Sequence, residues 1–172
     1  MDITIRAATA EDAGLLAELG ERTARQTFGG GPPEDMEEFL AVTYTREILA
    51  AELEAGERYL IAERGSLAAG FAQVQQEPAV ANVPGERPLK LARLYVDRAQ
   101  IGTGVGAALM GRCLELARAG GHDVIWLTAY DQNAQALGFY ERWGFTEVGE
   151  MYFAFGSERP RNVVLALRLS GE

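Results

Sequence analysis

The sequence predicts an α/β domain built on a mixed, twisted, mostly antiparallel central sheet of about six to seven strands, with helices on both faces. Three observations predict it. Short segments of period-two alternation are interleaved with longer segments of helical periodicity along the chain. One stretch, residues 91–119, runs strand, glycine turn, helix without interruption. The chain has 172 residues, 48% of them apolar and 24% charged, which is enough for one well-filled core. Residues 1–172 are therefore expected to form a single domain.

Each element has a local reason. Residues 3–8, ITIRAA, alternate and make a first strand. Thr9 is the expected N-cap of a helix from 10 to about 28, with Glu11 and Asp12 in its first turn where the helix dipole favours acids. The glycine- and proline-rich segment 29–33 breaks it. Two short helices follow at 33–44 and 45–56; Thr45 starts the second and Gly56 ends it. Strands at 58–63 and 67–75, joined at Gly65–Ser66, make a hairpin. Residues 77–88, with three prolines and a glycine, read as a loop. A strand at 91–96, a turn at 97–100 and a helix at 107–119 come next. That helix carries an apolar stripe of Leu109, Met110, Cys113, Leu114 and Ala117, and ends at Gly120–Gly121. The apolar strand 123–130, a helix at 132–143 with Gly144 at its C′ position, and strands at 145–155 and 162–169 complete the chain. Trp126, Leu127, Phe139, Trp143 and Phe145 are expected in the core.

Composition narrows the function. A net charge of −9 argues against nucleic acid as the main partner and suits a cationic one. The one cysteine allows no intrachain disulfide and suits a reducing compartment. No apolar run reaches membrane-spanning length and no signal-peptide core is visible, so a soluble cytoplasmic protein without a membrane partner is expected. One His and one Cys, with no metal-ligand spacing, leave no basis for a zinc site or a Ser-His-Asp or Cys-His mechanism.

The informative stretch is LARLYVDRAQIGTGVGAALM, residues 91–110. Gly102, Gly104 and Gly106 stand at alternate positions between strand and helix. Glycines let the backbone approach a ligand closely and turn successive N–H groups inward, and the helix N-terminus adds positive potential. The arrangement predicts an anionic ligand, a di- or pyrophosphate. A P-loop needs Lys after the glycines, and none is there. A dinucleotide fingerprint can be laid on Gly102, Gly104 and Ala107, but its acidic residue should end the following strand, whereas Asp123 precedes it.

The loop IGTGVG, 101–106, resembles the acetyl-CoA pyrophosphate loop of the GNAT superfamily of N-acetyltransferases, whose pattern is Gln/Arg-x-x-Gly-x-Gly/Ala. Gly104 and Gly106 take the two glycine positions; Ile101 departs at the first, with Gln100 one place early. Residues 126–145, WLTAYDQNAQALGFYERWGF, are similar to the downstream motif of that family, with Asn133, Ala136, Phe139, Tyr140, Gly144 and Phe145 in register. The segment TFGGGPPEDMEEFLAVTYTREILAAEL, 27–53, resembles the bacterial spermidine/spermine N-acetyltransferase branch, whereas the turn SERPRN, 157–162, departs from it.

The resemblance implies the acyl-CoA N-acyltransferase fold, acetyl-CoA as cosubstrate with no metal, and direct transfer of acetyl to a primary amine in a ternary complex. The acceptor it ranks first is a polyamine or another small amine. It implies that the backbone of Leu94, Tyr95 and Val96 holds the acetyl carbonyl and pantetheine arm. The backbone N–H groups of Ile101, Gly102, Thr103, Gly104, Val105 and Gly106 would cradle the pyrophosphate. Asn133 would bond the pantetheine or a nearby water, and Tyr140 would protonate the departing thiolate. Arg98, Arg112 and Arg142 are candidates for the ribose phosphate. The strand Glu often used as base is absent, its positions being Lys90 and Ala92, which leaves Glu77, Asp97 and Tyr95 as candidates. Cys113 opens a covalent route, though its place on the apolar stripe argues for packing. An acetyl-CoA-binding sensor with little turnover, and transfer to amino acids or peptide N-termini, are the rival readings. Homodimers are common in the superfamily, and no feature of the sequence specifies an interface.

Overall fold

In the computed structural model, residues 2–169 are described. The elements are β1 (Ile3–Ala7), α1 (Ala13–Phe28), α2 (Pro33–Thr43), α3 (Arg46–Glu54), β2 (Arg58–Arg64), β3 (Leu67–Gln75), β4 (Pro88–Val96), α4 (Val105–Ala119), β5 (Val124–Tyr130), α5 (Ala134–Arg142), β6 (Thr146–Tyr152) and β7 (Arg161–Arg168). The strands form one seven-stranded sheet in the order β1-β2-β3-β4-β5-β7-β6. The pairs β1–β2, β2–β3, β5–β7 and β6–β7 are antiparallel, and β4–β5 is parallel. The mostly antiparallel mixed sheet matches the expectation. By contact density the chain divides into two compact units, one holding the residues up to Val74 with Arg93–Cys113, the other Gln75–Ala92 with everything from Leu114 onward. β4 and α4 each pass from one unit to the other.

In the first unit helices cover both faces of the sheet. An ideal Cβ on Gly70 of β3 would lie 3.2 Å from Val105 and 3.3 Å from Leu109 of α4. The next residue, Phe71, meets Tyr44 beyond α2 edge-on at 6.2 Å. Successive strand residues face opposite sides, so α4 and the α2 end lie on opposite faces. The core here includes Leu16, Leu19, Leu49, Ile61 and Phe71. α1 opens with a 3-10 turn, Ala10–Asp12, rather than as one helix from residue 10. The Asp12 carboxylate draws the entry inward: it accepts the Thr9 N–H at 2.7 Å and both terminal nitrogens of Arg6. Thr45 caps α3 as expected, its hydroxyl accepting the Ile48 N–H.

In the second unit Val124, Trp126, Val164 and Ala166 form a core cluster, with Ala79, Val80 and Val83 of the proline-rich loop packed against it. That loop is shorter than the sequence suggests, because β4 begins at Pro88. Pro88, Leu89 and Lys90 pair with Val124, Ile125 and Trp126, and a proline is tolerated at a strand's first position. The parallel ladder stops there while β4 continues to Val96. Trp126, Leu127 and Phe145 are buried as expected; Phe139 and Trp143 are half-buried instead, tilted against each other at 6.4 Å on α5. Gly121 and Gly144, both at positive φ, end α4 and α5. At the first, the His122 N–H returns to Ala117 O and the Gly121 N–H to Arg118 O, the paired bonds that satisfy a helix's last carbonyls.

Candidate active site

The phosphate loop lies wholly in the first unit. β4 leaves the sheet at Asp97, whose N–H donates to Ala69 O at 2.9 Å. The Asp97 carboxylate then fastens the turn: it accepts from the Ala99 N–H, from Arg22 Nε at 2.7 Å and from Gln26 of α1. Burial works to raise this carboxyl, and those donors outweigh it, so it sits below the usual carboxylate range. Arg98 is also bound to α1, through both Gln26 oxygens. These contacts make Asp97 and Arg98 anchors of the loop rather than a base and a phosphate ligand.

Beyond a 3-10 turn, Arg98–Gln100, the chain turns outward at Ile101, which is 44% exposed. Gly102 and Gly104 take φ of +85° and +98°, conformations open to glycine and strained for other residues. Thr103 between them is exposed, its hydroxyl donating to Gln100 O. The helix begins two residues earlier than expected, at Val105, so Gly106 lies in its first turn rather than in the loop. Ala108 is the first residue of α4 whose N–H reaches a backbone acceptor, Gly104 O at 3.0 Å. The N–H groups of Val105, Gly106 and Ala107 precede it, and no backbone carbonyl receives them among the described residues. Three convergent donors at the positive end of a fifteen-residue helix, reached through two left-handed glycines, suit a pyrophosphate.

Behind this loop Leu94, Tyr95 and Val96 lie half-buried on β4. The Tyr95 ring packs against Phe71 at 5.8 Å and Phe28 at 6.5 Å, and burial pushes its phenol up, which removes it as a base near neutral pH. Arg93, one residue before Leu94, donates to the Tyr59 hydroxyl at 2.8 Å and lies 4.9 Å from the Tyr44 ring centre. Tyr59 in turn donates to Glu52 of α3. This chain of contacts holds the end of β4 in place. Gly70, which the sequence reading did not single out, does so from the other side. A Cβ there would stand 2.7 Å from the Tyr95 carbonyl oxygen. The signal was present, since an isolated glycine inside an apolar strand pattern marks a close backbone approach.

Asn133 and Tyr140 lie in the second unit, two turns apart on α5 and so on one face of it. Asn133 is the N-cap: its side-chain oxygen accepts the Ala136 N–H at 3.1 Å, which leaves its amide NH₂ as the group able to reach a ligand. Tyr140 is 7% exposed and packed edge-on against Phe139 and Phe145. Arg142 is exposed near the C-terminal end of α5, and Arg112 is exposed on α4. Of the base positions, Lys90 holds Glu77 at 2.8 Å and lies over the Trp126 ring at 5.2 Å. Asp123 accepts the Glu86 and Arg87 N–H groups and so fixes the loop before β4, a role incompatible with binding a ribose. Cys113 is fully buried, and burial pushes its thiol up to about 12. A thiol so held is protonated near neutral pH and is no acyl carrier. Among the described residues no group of acidic, His or Cys side chains is arranged to hold a metal ion, and no helix is long and apolar enough to cross a membrane.

Comparison with known proteins agrees with this geometry. The model of the acetyltransferase (GNAT) family matches residues 18–145. An uncharacterised N-acetyltransferase of Lactobacillus delbrueckii subsp. lactis is 26% identical over 149 residues, 86% of each chain. An uncharacterised N-acetyltransferase of Mycobacterium tuberculosis is 32% identical over 84 residues, 49% of this chain and 54% of that one. Among solved structures, the PaiA N-acetyltransferase of Thermoplasma acidophilum in complex with coenzyme A superposes with a TM-score of 0.79 at 22% identity, over 98% of this chain and all of that one. A putative acetyltransferase of Salmonella typhimurium with acetyl-CoA gives 0.70 at 22% identity, over all of this chain and 96% of that one. The matched motifs, the sheet and the N-terminal cradle of α4 lead to one assignment: the chain belongs to the acetyltransferase (GNAT) family and, as a member, is an acetyl-CoA-dependent N-acetyltransferase.

Proposed function

We propose that this protein, working as one catalytic domain, transfers acetyl from acetyl-CoA directly to the primary amine of a polyamine or similar small cation. The observation that carries the cosubstrate half is the row of N–H groups at Val105, Gly106 and Ala107 that no backbone carbonyl receives. When bound, acetyl-CoA supplies an acyl group already activated as a thioester. The chain's part is to bind, orient and move protons. The α4 N-terminus holds the pyrophosphate by its amides. A backbone N–H from Leu94–Val96 points at the acetyl oxygen and stabilises the negative charge that develops there. The Asn133 NH₂ donates to the pantetheine arm. The Tyr140 hydroxyl delivers a proton to the leaving sulfur; a phenol is ordinarily a weaker acid than a thiol, so its hydrogen bond counts as much as the transfer.

The buried thiol of Cys113 supports direct transfer over an acyl-enzyme. The acceptor class rests on the resemblance of residues 27–53 and on a net charge of −9, which draws in a cation. At neutral pH a primary amine must lose a proton, which costs about 4–5 kcal/mol without help. Of the base candidates, Asp97 is committed to the loop's anchorage and the Tyr95 phenol is pushed up by burial, which leaves Glu77, exposed and paired with Lys90. The test is release of free CoA, read with a thiol-reactive dye, across polyamines, amino acids, aminoglycosides and peptides. Tyr140→Phe should lower kcat at least tenfold with CoA affinity little changed. CoA binding with no release from any amine would replace the transferase reading by a sensor, and release with amino acids alone would replace the polyamine.

A further inference from the structure

Lysine and arginine together number 16 in this chain, and Lys90 is the one lysine among them. Its place is specific. Lys90 and Trp126 form the last rung of the parallel ladder between β4 and β5, so their side chains stand on one face of the sheet. The Lys90 ammonium lies 5.2 Å from the centre of the Trp126 ring and donates to Glu77 Oε1 at 2.8 Å. A carboxylate beside an indole face is a seat for a primary ammonium: the carboxylate supplies the counter-charge, and the negative face of the ring adds to it. The chain fills that seat with its own ammonium.

This occupant is displaceable. The pair is open to water, the Lys90 side chain being 22% exposed and that of Glu77 43%, so screening keeps it weak. A lysine holds its partner as a point charge on a flexible stem, without the paired fork of an arginine. Trp126 is buried, and among the described residues its Nε1 is the one buried side-chain nitrogen or oxygen without a hydrogen-bond partner. An unpaired buried donor costs free energy, and the packing around this ring holds no indole hydrogen bond that an entering ligand would break. The walls of the seat, by contrast, are fixed. Trp126 belongs to the cluster with Val124, Val164 and Ala166, and Asp123 pins the far end of the Glu77 loop by accepting the Glu86 and Arg87 N–H groups.

We propose that Glu77 and the Trp126 ring form a subsite for an ammonium group of the acceptor, filled in the free protein by Lys90 and vacated by it when the acceptor binds; the inference rests on the small-amine reading above. An acceptor of that class presents the group that Lys90 presents, a primary ammonium on an alkyl chain, and a polyamine presents more than one. One cation replaces another, so the charge of the seat is unchanged while the Lys90 ammonium moves into water. Lys90 thereby acts as a tethered competitor. The ammonium that replaces it has two sources, the amine that will receive the acetyl group and a distal ammonium of the same molecule. In the first case Glu77 lies against the amine that must lose a proton. The two separate by experiment.

Spermidine and butylamine are compared by CoA release, and by calorimetric titration in the presence of CoA, for the native chain, Lys90→Ala and Lys90→Arg. Lys90→Ala empties the seat and should lower the KM for spermidine by about threefold to thirtyfold, with kcat changing much less. Lys90→Arg keeps the net charge and the pairing but grips Glu77 with a fork, and should raise that KM by a similar factor. A pair that only pins the loop gives the reverse order, harm from alanine and none from arginine, and that result would overturn the proposal. So would spermidine affinities equal in all three proteins. A lower KM for butylamine as well places the reacting amine in the seat, and a lower KM for spermidine alone places the distal ammonium there. If no amine releases CoA, yet calorimetry shows spermidine bound more tightly by Lys90→Ala than by the native chain, the seat stands and the transfer reading falls.

Discussion

Gly104→Ala tests the phosphate loop at its most constrained point. Gly104 has φ of +98°, outside the region that side chains adopt with ease. Space is not the obstacle, since an added Cβ would meet only Ile3 Cδ1, at 3.6 Å, an ordinary contact. The penalty is therefore conformational and amounts to about 1–2 kcal/mol. If the backbone holds its shape, the melting temperature falls by about 2–8 °C for a chain of this size. If φ relaxes, the amides of Val105 and Gly106 rotate away from their common target and CoA affinity falls by about tenfold or more. Gly106→Ala is the matched control. Gly106 lies in the first turn of α4 and is not among the glycines at positive φ, so alanine there is favoured by about 0.5–1 kcal/mol. It should keep or raise the melting temperature and leave CoA affinity little changed, because the pattern of the family admits alanine at this position. Scanning calorimetry and CoA titration on both variants decide the matter. Gly104→Ala with stability and affinity unchanged would refute the reasoning, as would a Gly106→Ala protein destabilised to the same degree.

The remaining predictions concern the supports of the site. Gly70→Ala drives a methyl to within 2.7 Å of the Tyr95 carbonyl oxygen and should cost about 1–3 kcal/mol, read as a lower denaturation midpoint; a neutral effect would mean that β4 gives way freely at that point. The Asp12 carboxyl is held down to about 2, first by its bonds to Arg6, against an ordinary 3.8. Because its folded pKa is depressed, its contribution is complete above pH about 4 and is lost as pH falls through about 2. With Arg6 partly exposed, it is of order 1 kcal/mol, and Asp12→Asn should remove this acid-sensitive component from a stability–pH curve. Cys113→Ala should retain acetyl transfer, and the native thiol should resist alkylation at pH 8 until the protein unfolds; rapid labelling, or activity lost in a folded variant, would restore the covalent route.

What the sequence made legible was local. The glycine turn, the stripe on α4, the Thr45 cap and the C′ glycines are each specified within a few residues, and each recurs in the structure. What it hid depends on residues far along the chain. Pro88 looks like loop until Val124 pairs with it. Phe139 and Trp143 are apolar in type, yet the face of α5 they occupy leaves them half-exposed. Gly70 is intelligible only once the Tyr95 carbonyl lies against it. The site divides the same way. A phosphate loop acts through its backbone, so its motif is visible as glycines at fixed spacing, and Ile101 does no harm to that part. Side-chain charge has no such constraint of spacing: Arg64 comes from β2, far along the chain, and its guanidinium donates to Gln100 just before the loop. A departure from a motif at a side-chain position therefore poses a question about the neighbouring strand before it counts against the function.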